Sequence, residues 1–402
     1  MDPRYRAAYN AAYDDATYRR YAANLERRLG TPIPFRLAET PVFLPPDFLA
    51  ETERAAQEIL TQLCEPARIA MMERAVPERW NVPGRDALPT VAILDFAAVR
   101  ENGKIVPRLI ELQGFPSLLG FSFVQAQAWD AVLATIAGLH GKWTSSRGLS
   151  DAAYVALARR AIVAQCDPQT VALVDLDPEH QKTLPDFRAT KELWGVDAAD
   201  VRSLCVRGRK LFRTDPATGR EVPVERIYYR LVIDELERSG TTLPFDLRQE
   251  LDVQWSPHPN WFWIWSKVSL PYLDHPAVPR TTLLAELDAI PADLSGYVLK
   301  PLFSFAGGGV NVAPTHADVE AIPRESRRDW CLQERVEYAP VIPAADGGEV
   351  KVEVRLMFLR PDDAAGFTLA QNLCRLSRGA MIGVDYNRDR TWVGSSVGLV
   401  RS

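Results

Sequence analysis

Lys300 closes an apolar run, Tyr297-Val298-Leu299-Lys300, and three glycines, Gly307-Gly308-Gly309, follow within ten residues. In extended chain Lys300 points to the side of Val298, toward half-buried surface, where an ammonium without an anion is costly. A phosphate would relieve that cost. Contiguous glycines have no Cβ to hold a ligand off, so their backbone N–H groups can turn onto phosphate oxygens. No Gly-Lys-Ser/Thr follows, which excludes a P-loop, and the glycines lack the spacing of a dinucleotide fingerprint. On this stretch alone a glycine hairpin beside a surface lysine is an equal account.

A second group of chemically able residues lies far upstream. The runs Val91-Ala92-Ile93-Leu94-Asp95-Phe96 and Arg108-Leu109-Ile110-Glu111-Leu112-Gln113 flank Glu101-Asn102-Gly103-Lys104. Asn-Gly between two alternating apolar runs is a strong hairpin signal, and the hairpin brings Asp95 near Glu111. Asp95, Glu111 and Gln113 then offer two carboxylates and an amide oxygen, hard ligands suited to Mg²⁺.

Two further strands belong with these. Trp330 to Val336 reads as a strand centred on Gln333-Glu334. Glu349 to Phe358 alternates strictly, with Glu349, Lys351, Glu353 and Arg355 on one face and valines on the other. One face is core and the other a charged wall. A solvated sheet surface with cross-strand ion pairs is the bland alternative for that wall.

Lysine strand, glycine loop, Gln-Glu strand and Glu-x-Arg strand, in that order, resemble the ATP-grasp family, in which two α+β lobes hold ATP between antiparallel sheets. The resemblance implies that Lys300 holds the α/β phosphates and that Gly307, Gly308 and Gly309 fold over the β/γ phosphates. It further implies that Gln333, Glu334, Arg335 and Val336 read adenine through their backbone and that Arg355 meets the transferring phosphoryl group. The family's second lysine then corresponds to Lys267, in His258-Pro259-Asn260-Trp261-Phe262-Trp263-Ile264-Trp265-Ser266-Lys267-Val268-Ser269-Leu270-Pro271. Asn260 after Pro259 predicts an N-cap and Pro271 a stop, giving a short helix with Trp261 and Trp265 on one face. Alone, the tryptophans read as core packing and Lys267 as a surface lysine.

The usual family ends with an acidic strand and Glu-x-Asn, and after Arg355 the chain has none. It offers Asn372 to Gly379 and then Val384-Asp385-Tyr386-Asn387. The upstream Asp95/Glu111 hairpin instead resembles the circularly permuted ATP-grasp enzymes of the glutathionylspermidine synthase type, whose metal strands precede the lysines. The likeness runs from about residue 90 onward. Two positions depart from it: Ile93 stands where that type has arginine, and Gln113 where it has asparagine. Arg355, Arg375 or Arg378 is expected to supply the missing cation. No segment is left for the amidase domain of some relatives, so bond formation without cleavage is expected.

The implied fold is α+β with α/β character: a permuted ATP-grasp core with a small α/β subdomain of the type that precedes such cores, and a helical N-terminus. The expected divisions are a helical segment over 1–90, the metal hairpin and helices over 91–165, the α/β subdomain over 166–255, and the nucleotide-binding lobes over 256–402. Residues 1–30 read as one helix with Tyr9, Tyr13, Tyr18, Tyr21 and Leu25 on its less polar side, ending at Gly30. Packing or an oligomer contact accounts for that face, and a homo-oligomer is compatible with it. Prolines from Pro32 to Pro46 mark a linker before a helix capped by Asp47 and running to Leu63. Residues 121–165 read as helical with a break around Gly141 to Gly148. Val171-Ala172-Leu173-Val174-Asp175 and Arg226 to Glu235 read as strands. The loop Asp177-Pro178-Glu179-His180-Gln181-Lys182-Thr183 lies where open α/β sheets bind ligands, and is a candidate acceptor segment or an ordinary turn.

Bulk properties narrow the class. A chain of 402 residues can bury roughly 75% of its unfolded surface. The net charge of −5 without a basic block argues against nucleic acid. Cys64, Cys166, Cys205, Cys331 and Cys374 are odd in number and widely spaced, which points to reduced thiols, and the five histidines show no ligand spacing. The polar start and the lysine-broken apolar runs predict neither a signal peptide nor a membrane span, hence a cytoplasmic protein. The expected activity is ATP- and Mg²⁺-dependent joining of a carboxylate and an amine through an acyl phosphate. A small-molecule kinase of the same family and a non-catalytic nucleotide-binding protein are the alternatives.

Overall fold

The computed structural model of the chain describes residues 1–146, 148–215, 217–304, 308–379, 382 and 390–401. Of the residues singled out above, Gly307 and the run Val384 to Asn387 lie outside the described residues.

The largest sheet joins the two distant groups of charged residues. Its order is Gly394–Ser396, Thr368–Ser377, Glu349–Leu359, Val91–Glu101, Lys104–Gln113, all antiparallel, with Pro340–Pro343 pairing Glu349–Leu359 at one end. The strict alternation of Glu349–Leu359 explains its place in the middle. Val350, Val352, Val354, Leu356 and Phe358 enter the main core with Ala92, Leu94, Phe96 and Ala98 from the neighbouring strand. The other face is divided. At one end Val91, Ile93, Met357 and Leu359 pack into a second apolar cluster with Leu119, Phe123 and Leu373. Beyond them lie Asp95, Glu353 and Arg355, which are buried rather than solvated.

The Asn102-Gly103 turn has both residues at positive φ, 48° and 79°, as a tight two-residue hairpin requires. From Glu101 opposite Lys104 to Phe96 opposite Leu109 the pairing is regular, and continued it would set Ile110 opposite Asp95. A bulge intervenes, and Glu111 takes that place. One extra residue thus re-aims the carboxylate.

Two smaller sheets complete the frame. Thr281–Leu283, Trp330–Glu334 and Tyr297–Pro301 form an antiparallel sheet with Trp330–Glu334 in the centre. Leu299 and Leu332 turn one face of it into a small apolar cluster, which leaves Lys300 on the other. Gln254–Ser256, Arg226–Tyr229, Val171–Asp175 and Asp197–Asp200 form a parallel sheet in that order, with the helix Leu184–Trp194 among its connections.

Several local expectations are corrected. Residues 1–30 form two helices, Pro3–Ala12 and Asp15–Leu29, because Asp14 accepts from Thr17 N at 2.6 Å and Thr17 Oγ1 at 2.7 Å and starts a new helix there. Tyr9, Tyr21 and Leu25 all reach the main core, and Gly30 ends the second helix at φ 63°. The next helix, Pro46–Leu63, has Asp47 in its first turn and no side-chain cap. Arg226–Tyr229 stops short of Glu235, which lies in the helix Ile233–Ser239. Among the described residues no helix is long and apolar enough to cross a membrane, and all five cysteines are free thiols.

Candidate active site

The sheet register sets the geometry. Arg355, Asp95 and Glu111 stand directly opposite one another on three adjacent strands, and therefore on one face. Two residues along, Glu353 stands opposite Arg375 on that same face. Arg355 grips Asp95 with both arms of its fork, Nε to Oδ1 at 2.7 Å and Nη2 to Oδ2 at 2.6 Å. Arg375 Nη2 donates to the same Oδ2 at 2.6 Å and to Glu353. Tyr338 donates its hydroxyl to the other Glu353 oxygen.

Lys267 arrives from the tryptophan-rich segment. The helix there covers only Trp261–Ile264, and Lys267–Tyr272 is a separate 3₁₀ turn with Pro271 inside it. Asn260 does not cap by its side chain: its Oδ1 accepts from Val82 N at 3.0 Å and its amide donates to Asn81 and Val82. Gly114 N donates to Trp265 O at 2.8 Å, and a Cβ on Gly114 would stand 2.9 Å from Trp261 O. Only glycine lets the end of the hairpin lie this close, which brings Lys267 Nζ to 4.0 Å from Glu111. Lys267 also donates to Ser304 O at 2.6 Å, at the root of the glycine loop. Trp261 and Trp265 are fully buried.

Lys300 is 7% exposed. Its ammonium donates to Ile110 O at 3.3 Å, on the bulged residue, and to Gln333 Oε1. Gln333 passes the network to Thr281 Oγ1 at 3.2 Å. The strand here ends at Glu334, two residues before Val336. Gln333 is paired on both sides, and the N–H groups of Glu334 and Arg335 donate to Arg280 O and Gly296 O at 2.8 Å each. The side chain of Glu334 pairs with Arg280, and that of Arg335 is exposed. Gly308 is exposed, and Gly309 adopts φ 70°. The loop bearing them is pinned where Leu299 and Asn311 exchange two backbone hydrogen bonds at 2.9 Å.

Lys267, Lys300, Arg355 and Arg375 thus converge on Asp95, Glu111 and Glu353. Burial opposes ionisation of Glu111, but Lys267, Arg375, Arg355 and Lys300 outweigh it and hold its carboxyl at about 2. Burial lowers the Lys300 ammonium, offset in part by Glu111. Burial likewise raises Glu353, helped by Asp95 and Glu111 and opposed by Arg375. Arg375 Nε is buried without an acceptor among the described residues. A cleft with a cavity volume of about 40 Å³ opens beside the cluster, lined by Glu111, Gln113, Lys267 and Ser304 and by the apolar Phe115, Phe262, Leu302 and Phe303. An apolar lining with a few convergent polar groups is the character of a ligand site.

The proposed metal set divides. Glu111 and Gln113 line the cleft, and Gln113 donates its amide N–H to Phe115 O at 2.8 Å, which leaves its oxygen for another partner. One carboxylate and an amide oxygen fit Mg²⁺ shared with phosphate oxygens. Asp95 does not fit with them as arranged, because both of its oxygens are held by guanidinium groups and its side chain is 1% exposed. Among the described residues no group of three His, Cys, Asp or Glu has the geometry of a metal site.

Ile93 is buried in the second apolar cluster. Arg375, two strands away, stands beside Asp95, a placement that only the sheet order reveals. Arg378 is set apart: it pairs with Asp346 at 2.6 and 2.9 Å. The Asp177 to Thr183 segment follows Val171–Asp175, with His180 bonded to Asp177 at 3.0 Å and Glu179 to Arg188 at 2.7 Å. Its residues do not line the cleft.

No family model matches the chain, and no curated protein does. Among solved structures, a glutathione synthetase-like effector from Globodera pallida in its apo form is similar. It superposes with a TM-score of 0.56 over 92% of this chain and 96% of its own, at 11% identity. At that identity the likeness is one of fold.

Proposed function

We propose that the chain is a circularly permuted ATP-grasp ligase that joins a carboxylate to an amine at the expense of ATP. The observation that carries this reading is the convergence of Lys267, Lys300, Arg355 and Arg375 on Asp95, Glu111 and Glu353, beside a cleft that Lys267 and Glu111 line. Four cations around three carboxylates, three of those cations buried, suit a polyphosphate. The glutathione synthetase-like fold of the solved neighbour agrees with a ligase.

In this reading Lys300 and Lys267 bind the phosphate chain of ATP, exchanging Gln333, Ile110 and Ser304 oxygens for phosphate oxygens. Arg355 and Arg375 neutralise charge on the transferring phosphoryl group. Mg²⁺, held by Glu111 and Gln113, would supply further charge neutralisation on the phosphate oxygens. A carboxylate oxygen of the substrate attacks the γ-phosphorus and ADP leaves. The amine nitrogen then attacks the acyl carbon, phosphate leaves with the acyl C–O bond broken, and the amine gives up a proton. Gly308 and Gly309 let their loop approach the phosphates and exclude water, which would otherwise hydrolyse the acyl phosphate. The apolar wall of Phe115 and Phe262 offers an unreactive surface beside the reacting groups.

The test is ADP release over pooled acids and amines, read by intact mass of the product. A ligase releases ADP and phosphate only when both substrates are present and yields a condensed product. A phosphorylated product would replace this reading with a kinase, and the absence of ADP release with a nucleotide-binding protein.

A further inference from the structure

Asp95 and Glu111 stand opposite each other, yet their surroundings differ in kind. Glu111 lines the cleft, with Arg375 and Lys267 at 3.6 and 4.0 Å, beyond hydrogen-bond distance. Asp95 Oδ1 accepts from Arg355 at 2.7 Å, and its Oδ2 from Arg355 and Arg375 at 2.6 Å each. A divalent cation reaching Asp95 would have to displace a guanidinium and leave it buried without its counter-ion.

We propose that Asp95 is a positioning residue and not a metal ligand: a buried carboxylate that clamps Arg355 and Arg375 side by side so that their remaining N–H groups meet the terminal phosphoryl group. Two like charges held together in low dielectric repel strongly, and one shared carboxylate makes their pairing tolerable. Glu353 meets Arg375 as well, and still neither guanidinium has all its donors on a carboxylate. Arg375 Nε has no acceptor among the described residues, and Arg355 Nη1 has a long contact to Ser117 Oγ at 3.3 Å. Both donors are therefore available to a phosphoryl oxygen, in a geometry fixed before the ligand arrives. This inference rests on the reading of the cleft as a phosphoryl-transfer site.

The experiment compares Asp95→Asn with Glu111→Gln in the full chain, by Mn²⁺ binding in the presence of ADP and by calorimetry with ATP and with ADP. Asp95→Asn is expected to keep Mn²⁺ affinity within twofold and ADP affinity within twofold, and to weaken ATP at least tenfold. Glu111→Gln is expected to weaken Mn²⁺ at least tenfold. A tenfold loss of Mn²⁺ affinity in Asp95→Asn, or equal losses of ATP and ADP, would overturn the proposal. If Asp95→Asn folds poorly, the double variant Asp95→Asn/Arg355→Gln, which removes one charge of each sign, takes its place in the Mn²⁺ measurement. If wild type binds neither nucleotide, the ligase reading fails on its own, and melting temperatures still decide the clamp. Strong non-additivity between Asp95→Asn and Arg355→Gln supports it, and additivity overturns it.

Discussion

The ammonium of Lys300 donates to the carbonyl of Ile110, 190 residues earlier in the chain, and Ile110 is the extra residue of the bulge that turns Glu111 toward Asp95. One irregularity therefore serves both halves of the site. It sets the carboxylate on the charged face, and it supplies an acceptor for the buried lysine.

Replacing Lys300 by Ala should weaken ATP binding at least tenfold, about 1.4 kcal/mol or more. Calorimetry on a variant whose circular dichroism matches wild type checks this. Unchanged affinity in such a variant removes the nucleotide reading of the cleft.

Asp95→Asn should be far more destabilising than Glu111→Gln, by about 3–5 kcal/mol for Asp95, because it leaves the buried guanidinium of Arg355 without its counter-ion. Chemical denaturation of both variants measures the contrast. For Glu111 the sign with pH is also fixed. Its carboxyl lies at about 2 in the folded chain against an ordinary 4.5. The stability it contributes is present above the unfolded value and is lost as pH falls through the folded one. The gap between wild type and Glu111→Gln should therefore close as pH is lowered from 5 toward 2.

Asp175 gives the opposite sign. Burial at the end of its strand lifts its carboxyl from 3.8 to about 7, against the pull of Arg230. The folded chain then holds a proton that the unfolded chain releases between those values, so stability declines as pH rises across that window and levels off above it. Asp175→Asn keeps an oxygen for Leu176 N and escapes the decline. Its urea midpoint relative to wild type should be higher at pH 8 than at pH 4.

In the glycine loop the two described positions should respond differently. Gly309 has φ 70°, and a Cβ there would lie 3.1 Å from Pro301 Cγ. Gly309→Val should cost about 1–3 kcal/mol of stability. Gly308→Val should lower kcat strongly with a small change in melting temperature, if close approach to phosphate is what that glycine serves. Ready unfolding with normal turnover of the folded fraction would make the loop a structural turn.

How far the sequence carried can be seen in single residues. Asn102-Gly103 predicted the hairpin and its turn, since that dipeptide fits few other conformations. The bulge at Ile110 was not legible, because nothing in an apolar run marks which residue is extra. The alternation of Glu349–Leu359 told which side chains share a face, but not that Glu353 and Arg355 would be buried. That depends on Asp95 and Arg375, brought in by strand order. The break at Asp14 is written in Asp14-x-x-Thr17, but the tyrosine spacing continues through it and masks it. Asn260 shows the reverse: good capping chemistry was diverted to the more distant Val82 and Asn81 by tertiary packing.

The partnership of Asp95 with Arg355 spans 260 residues of chain, which bears on how the protein is made. At about 5–20 residues per second of synthesis, the hairpin carrying Asp95 waits on the order of ten to fifty seconds for the strand that covers its edge. During that interval Val91–Glu101, apolar but for Asp95 over its first nine residues, is an open edge able to pair with another chain. Premature termination before Glu349 would leave that edge open permanently. Yield in cells should therefore depend on chaperone supply more steeply than the stability of the finished protein would suggest.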